Sequence, residues 1–324
     1  DSSFTDVASR MRILGAQLSA IAPSTLSRHL QNGEIIAENS MLGPTPLGSP
    51  LHYLKPLVPH GFQVVLSPDI PCGHGRSEEP TRPDLFKDPI AWVHSSVNCP
   101  PEQLSILKAL EISYEGALAL EQNTRQQAGS NVWKTARRHR VTASSFGVVV
   151  QRTNWTEKGL HNFTSQKDLS RVRAVQYGIA NEQPAVHRYT CTMRTRSRDV
   201  EAFRCGLLVD PSCPWLGASP DRVIFDPCEE PKHGLLEVKC PYSLKGKALE
   251  EIGDSHYMKQ DEEGIFRLDR SHQYYYQVLG QMAVSGLRWT DFVVFSEKFM
   301  IVERIRFSEE DWADAMPKLN TFFF

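Results

Sequence analysis

Leu216-Gly-Ala-Ser-Pro-Asp-Arg-Val-Ile-Phe225 and, nine residues on, Gly234-Leu-Leu-Glu-Val-Lys-Cys240 are the two segments whose reading decides the fold. Both are rich enough in apolar and β-branched residues to read as strands, the first with a turn inside it. Alternation along the second sends Glu237 and Lys239 to one face and Leu236 and Val238 to the other. Asp221 stands sixteen residues before Glu237, in the neighbouring strand segment. Carboxylates hold a hard divalent cation through oxygen. Such a cation polarises a phosphate and acidifies a bound water, and a nearby lysine orients that water or offsets transition-state charge. A Glu-x-Lys triplet also occurs on solvated strand edges, where it is only surface charge. Here an apolar strand points two charges the same way beside an aspartate, which is how a site is built. The pattern predicts a pair buried on one face and open on the other.

Outward from this pair the chain alternates helix and strand. Upstream, Arg171 to Tyr189 reads as a helix carrying Glu182, and a short strand is expected over Phe203 to Val209. Downstream, Ser271 to Ser285 reads as a helix with Gln277 and Gln281 one turn apart among apolar neighbours. Buried amides need partners, so both are candidate site residues. Strands over Asp291 to Phe295 and Met300 to Phe307 follow. A last helix opens at Ser308, an N-cap with Glu309, Glu310 and Asp311 behind it.

Those motifs, in that order, carry a resemblance. Glu182 in Gly178-Ile-Ala-Asn-Glu-Gln-Pro-Ala185, then Ser219-Pro-Asp221, Glu237-Val-Lys-Cys-Pro241 and Gln277, resemble the PD-(D/E)XK nuclease superfamily. The likeness is to its YqaJ, or lambda-exonuclease-like, branch and runs from about Trp133 to Phe307. The resemblance implies an α/β fold with a restriction-endonuclease-like core (helix, three strands, helix, strand) and helical additions. It implies Glu182, Asp221 and Glu237 as ligands of one or two Mg²⁺ or Mn²⁺ ions, with the Val238 carbonyl beside them. Lys239 would be the catalytic lysine and Gln277 the glutamine of the downstream helix. A pocket for a terminal 5′-phosphate would fall to Arg137, Ser144 and Ser219. The branch's arginine after Lys-Cys-Pro is replaced by Lys245, which carries charge without a bidentate fork.

The basic cluster supports that pocket on its own chemistry. Lys134, Arg137, Arg138, His139 and Arg140 precede Thr142, Ser144 and Ser145, and cations with hydroxyls are common donors to phosphate. Arg140 and Gln281 join the candidate DNA-contacting residues. A solvated basic helix face would have the same composition. A second basic stretch, Arg188 to Arg198, reads equally as a backbone-tracking segment or a loop.

Composition bounds the remaining possibilities. The 324 residues carry a net charge of −2, so any nucleic-acid affinity must come from local patches. No apolar run approaches a membrane span and no signal peptide heads the chain; it opens on Asp1, which reads as a processed chain or fragment. The seven irregularly spaced cysteines favour free thiols in a reducing, intracellular compartment, the nucleus if the source is eukaryotic. Cys72-Gly-His74 with Cys99 lacks a second close pair, which argues against a metal site there. Relatives with an iron–sulfur cluster need three cysteines after the core, and none follows Cys240. A phosphate-cradling Gly-x-x-x-x-Gly-Lys-Ser/Thr loop is absent, so no built-in ATPase is expected.

Thirteen of the 21 prolines lie in the first 101 residues. The chain therefore reads as a proline-rich accessory region over 1–100, with a helix near Val7 to Ile21, and a nuclease domain over 101–324 that begins with a helix from Glu102 to Glu121. The leading expectation is a metal-dependent exonuclease acting from 5′ ends of double-stranded DNA, in recombination or repair. A structure-specific endonuclease or RNase of the same superfamily, and a non-catalytic DNA-binding or recombination module, are the alternatives. Expected partners are DNA, further copies of the chain in a ring trimer, a recombination protein and no membrane.

Overall fold

The computed structural model describes residues 61–75, 78–86 and 101–324, apart from 166–168, 170 and 254–255; before residue 61 it describes only 13–14, 16–17, 20, 37–40 and 43–46. By contacts the chain divides into one unit at Asp1–His60 and another at Gly61–Phe324. In the first, β1 (Ala37–Ser40) pairs antiparallel with β2 (Gly43–Pro46). Most of the expected Val7–Ile21 helix lies outside the described residues, although 13–14, 16–17 and 20 are helical. Cys99 also lies outside them.

The second unit is α/β, built on a six-stranded mixed sheet ordered β3, β12, β11, β8, β7, β5. The strands are β3 (Gln63–Leu66), β5 (Glu201–Arg204), β7 (Arg222–Phe225), β8 (His233–Lys239), β11 (Trp289–Phe295) and β12 (Phe299–Arg306). β8 runs antiparallel to β7 and parallel to β11, so it lies in the middle of the sheet. The shorter strands are β4 (Val141–Thr142), β6 (Leu216–Gly217), β9 (Met258–Gln260) and β10 (Phe266–Leu268). The helices are α1 (Pro101–Leu110), α2 (Tyr114–Asn123), α3 (Asn131–Arg137), α4 (Ala143–Gln151), α5 (Glu157–Thr164), α6 (Arg173–Thr195), α7 (Gln273–Ser285) and α8 (Glu309–Phe323). The order helix, three strands, helix, strand is α6, β5, β7, β8, α7, β11.

Two cores flank the sheet. On one face Ala185, Val186, Tyr189 and Met193 of α6 pack with Leu236 and Val238 of β8. On the other, Val278, Leu279 and Met282 of α7 and Trp312, Met316 and Leu319 of α8 pack with Leu235 and Phe292. α7 begins where the His272 ring accepts from Tyr274 N and stops at Gly286, whose φ of 76° is the left-handed turn glycine tolerates. α8 opens as its sequence predicts, with Ser308 Oγ accepting from Asp311 N at 3.1 Å.

Three expectations about elements are corrected. The single helix over Glu102–Glu121 is two, because the Ser113 hydroxyl accepts from Gly116 N and starts α2 afresh. The strand expected over Phe203–Val209 ends at Arg204. Past it Gly206 N and Leu207 N donate to the Glu121 carboxylate and the Thr124 hydroxyl at the end of α2 instead of to a sheet neighbour. Both faces of β8 are covered, and only its end residues, His233 and Lys239, are partly exposed. The proline count sets the expected boundary between residues 100 and 101, whereas by contacts the larger unit starts at Gly61, and β3 pairs with β12 at the edge of its sheet.

Candidate active site

Glu237 is buried, 3 % exposed, and all its partners come from two elements. Its Oε1 accepts from Lys239 Nζ and from Gln277 Nε2, each at 2.6 Å. Its Oε2 accepts from Gln281 Nε2 at 2.7 Å, and Gln277 Oε1 accepts from Lys239 Nζ at 3.0 Å. This arrangement follows from two periodicities: residues two apart on a strand share a face, as do residues four apart on a helix. The Lys239 ammonium also sits 4.4 Å from the centre of the Tyr274 ring. Burial opposes its charge, but Glu237 and Asp221 outweigh burial and raise its pKa. In this arrangement its Nζ donates to Glu237 and Gln277.

Asp221 lies just before β7, half-buried, with its Oδ2 accepting from Val238 N at 2.7 Å. Gln127 Nε2 holds the turn in front of it, donating to the carbonyls of Pro220 at 2.9 Å and Cys205 at 3.0 Å. Desolvation first, then the charges of Glu237 and Glu182, push the Asp221 carboxyl well above the usual carboxylate range. Glu182, on α6, accepts from Arg222 Nη1 at 3.0 Å, and Arg222 Nη2 donates to Gln183 Oε1 at 2.7 Å.

Among the described residues no three His, Cys, Asp or Glu side chains converge tightly enough to enclose a metal ion. Resident cations, Arg222 on Glu182 and Lys239 on Glu237, offset two of the three carboxylates. The donor chemistry nevertheless fits a hard divalent ion: besides burial, the charges of Glu237 and Glu182 reach Asp221 and raise its pKa, so the three carboxylates lie near one another, and oxygen is the ligand such ions take.

A second cluster forms where β4 pairs parallel with β6, setting Val141 beside Leu216 and Thr142 beside Gly217. That pairing brings the start of α4 next to Ser219. Arg137 Nη2 donates to Thr142 Oγ1 at 3.2 Å and to Ser144 Oγ at 3.4 Å. Its guanidinium lies 4.1 Å from the Trp133 ring, and Trp133 Nε1 donates to Ser219 Oγ at 2.9 Å. Burial alone lowers the Arg137 pKa, to about 10, and no carboxylate pairs with it among the described residues. A partly desolvated cation with hydroxyls beside a helix N-terminus is suited to an anion.

The structure brings together Glu182, Asp221, Glu237, Val238, Lys239, Gln277 and Gln281, and separately Arg137, Ser144 and Ser219. It commits other candidates elsewhere. The Arg140 guanidinium nitrogens donate to the carbonyls of Pro214, Ala136 and Leu110. Gln281 is buried against Glu237 and so holds a carboxylate rather than DNA. Lys245 is not joined to the Arg137 cluster and stands instead beside the rings of Tyr177 and Tyr242, where its ammonium stays available to an anion. The Arg188–Arg198 stretch is neither tracking segment nor loop. Most of it is the end of α6, Arg188 is buried with its guanidinium 4.9 Å from the Phe62 ring, and Arg198 is buried against Asp226 and Glu229. Residues not anticipated are Gln127, Arg222 and Tyr274. Arg222 carried a signal, a cation directly after Pro-Asp; Gln127 carried none.

Residues 132–288 match the family described as YqaJ-like viral recombinase domain. The chain is 27 % identical over 146 residues to the alkaline nuclease of Psittacid herpesvirus 1, covering 37 % of this chain and 28 % of that protein. It thus spans a little over a quarter of that relative's length. Among solved structures it is similar to the alkaline exonuclease LHK-Exo of Laribacter hongkongensis, with 21 % identity, a TM-score of 0.43 and coverage of 60 % of this chain and 90 % of that one. A SOX–DNA complex matches with 11 % identity, a TM-score of 0.42 and coverage of 64 % and 70 %. Among the described residues no helix is long and apolar enough to cross a membrane.

Proposed function

We propose, starting from a YqaJ-like domain of the PD-(D/E)XK type at residues 132–288, that this chain is a DNA exonuclease hydrolysing phosphodiester bonds from 5′ ends of double-stranded DNA with Mg²⁺ or Mn²⁺. Glu182, Asp221 and Glu237 would hold one or two ions. A bound ion of this kind polarises the phosphate and lowers the pKa of a water. The chain's own part is orientation and charge. Gln277 and Gln281 fix both oxygens of Glu237, and Lys239, as an ammonium, donates to the attacking water or to the phosphate oxygens as charge builds there. Arg137, with the hydroxyls of Thr142, Ser144 and Ser219, would receive the terminal phosphate and set the strand's register. The observation that carries the reading is the Glu237 carboxylate shared by Lys239, Gln277 and Gln281 beside the raised Asp221.

The test offers the chain linear duplex with a 5′-phosphate, the same duplex with a 5′-hydroxyl, and a covalently closed circle. Linear duplex should be lost in Mg²⁺, the circle should survive, and EDTA should stop all turnover. Arg137→Ala should reduce the preference for the 5′-phosphate by roughly tenfold or more, the value of a charge-assisted hydrogen bond. Cutting of the circle would replace the exonuclease with an endonuclease, cutting of RNA alone would change the substrate, and turnover in EDTA would remove the metal.

A further inference from the structure

Beyond Lys239 the chain leaves β8 and passes through a 3₁₀ turn at Tyr242–Leu244. Tyr242 there meets Tyr177 of α6 edge to face, ring centres 5.6 Å apart and planes at 78°. The Lys245 ammonium lies 5.7 Å from the Tyr177 ring centre and 6.0 Å from that of Tyr242, at the outer limit of a cation–π contact. Leu244 is buried and pins the turn, whereas Tyr242 keeps 42 % of its surface in solvent. The Tyr177 hydroxyl is buried without a hydrogen-bond partner, so ring contact rather than a hydroxyl bond sets the pair.

Packing does not require that exposed ring, since Leu244 already anchors the segment. An aromatic face accepts any base, and an adjacent cation meets the phosphate beside it. Three residues of chain reach at most about 10 Å, so Tyr242 stands close to Lys239. We propose that Tyr242, backed by Tyr177 and with Lys245 alongside, is a stacking platform for an unpaired nucleobase of the strand whose phosphate lies at Lys239. The proposal rests on the nuclease reading of that site. It makes the chain a reader of opened ends, because a base inside a duplex is stacked on both faces and only an unpaired base can turn out of the stack to meet the ring.

The full chain carrying Lys239→Ala serves as a binding form. The probe is a duplex with a one-nucleotide 2-aminopurine overhang, and a fully paired duplex is the comparison. Binding should quench the overhang fluorescence. Adding Tyr242→Ala should abolish the quench and weaken overhang binding roughly 5- to 100-fold, with a much smaller effect on the paired duplex. Tyr242→Phe should keep both the quench and the affinity. Equal loss in Phe and Ala would overturn the platform in favour of a hydroxyl contact. An unchanged quench in Tyr242→Ala would overturn it outright while leaving the nuclease reading intact. Failure of the Lys239→Ala form to bind either DNA would sink both.

Discussion

Replacing Lys239 with alanine should lower cleavage of linear duplex by about 10²- to 10⁴-fold, the range set by one positioned proton-transfer or charge-stabilising group. The ammonium bonds Glu237 and Gln277 and rests against the Tyr274 ring, so nothing else in the described site supplies a mobile cation at that point. Arg222 is held by Glu182 and Gln183. Lys239→Met is the companion variant, since it keeps a chain against Tyr274 and removes only the charge. Single-turnover cleavage at saturating DNA measures the step, and a thermal melt confirms that both variants fold. Activity within a few-fold of the parent chain in both would take Lys239 out of the chemistry.

Arg304→Ala should destabilise the larger unit by about 3–5 kcal/mol, the cost of removing one partner from a buried ion cluster. Arg304 is fully buried and bonds Asp291 through Nε and Nη2 at 2.8 Å each, Asp226 at 3.2 Å, and Glu229. Its guanidinium lies 4.0 Å from the Trp289 ring, and Tyr189 donates to Asp291 at 2.6 Å. Alanine would leave Asp291 with only the tyrosine and would strip one of two arginines from Asp226, whose other is Arg198 at 2.9 Å. For a unit of this size the melting temperature should fall by roughly 6–20 °C. Urea melts would measure the change directly, and a loss below about 1 kcal/mol would show that the cluster is not a stability element. Cleavage measured well below the new midpoint should be unaffected, because the Asp226 and Asp291 carboxylates bond Arg198, Arg304, Tyr189 and Cys228 N rather than Glu237 or Lys239.

These two sites differ in how much of them the chain discloses in one dimension. Glu237 and Lys239 are two apart in a seven-residue strand, so alternation alone puts them on one face. Gln277 and Gln281 are four apart in a thirteen-residue helix, so helical period alone puts them on one side. Asp221 and Glu182 follow from motif order. Short-range geometry therefore fixes each pair, and the order of elements along the chain makes an α/β core the economical way to bring the pairs together.

Which partner each polar group takes is a different question. Arg140 belongs to a basic run that resembles a phosphate contact, yet three backbone carbonyls left open by neighbouring segments claim it, because buried carbonyls must be satisfied. Arg198 resembles part of a cationic stretch, yet Asp226 and Glu229 take it into the core. Gln127 and Arg222 enter their clusters only because folding brings distant segments together, Gln127 to Cys205 and Pro220 and Arg222 to Glu182 and Gln183. The α/β class, the order of its elements and the carboxylate, lysine and glutamine groups are legible along the chain, since strand and helix periodicities act over a few residues. Folding in three dimensions alone settles which cations are spent inside the protein and which remain for an anion. Burial makes an unpaired charge costly, and the nearest available partner is set by packing rather than by position in the chain.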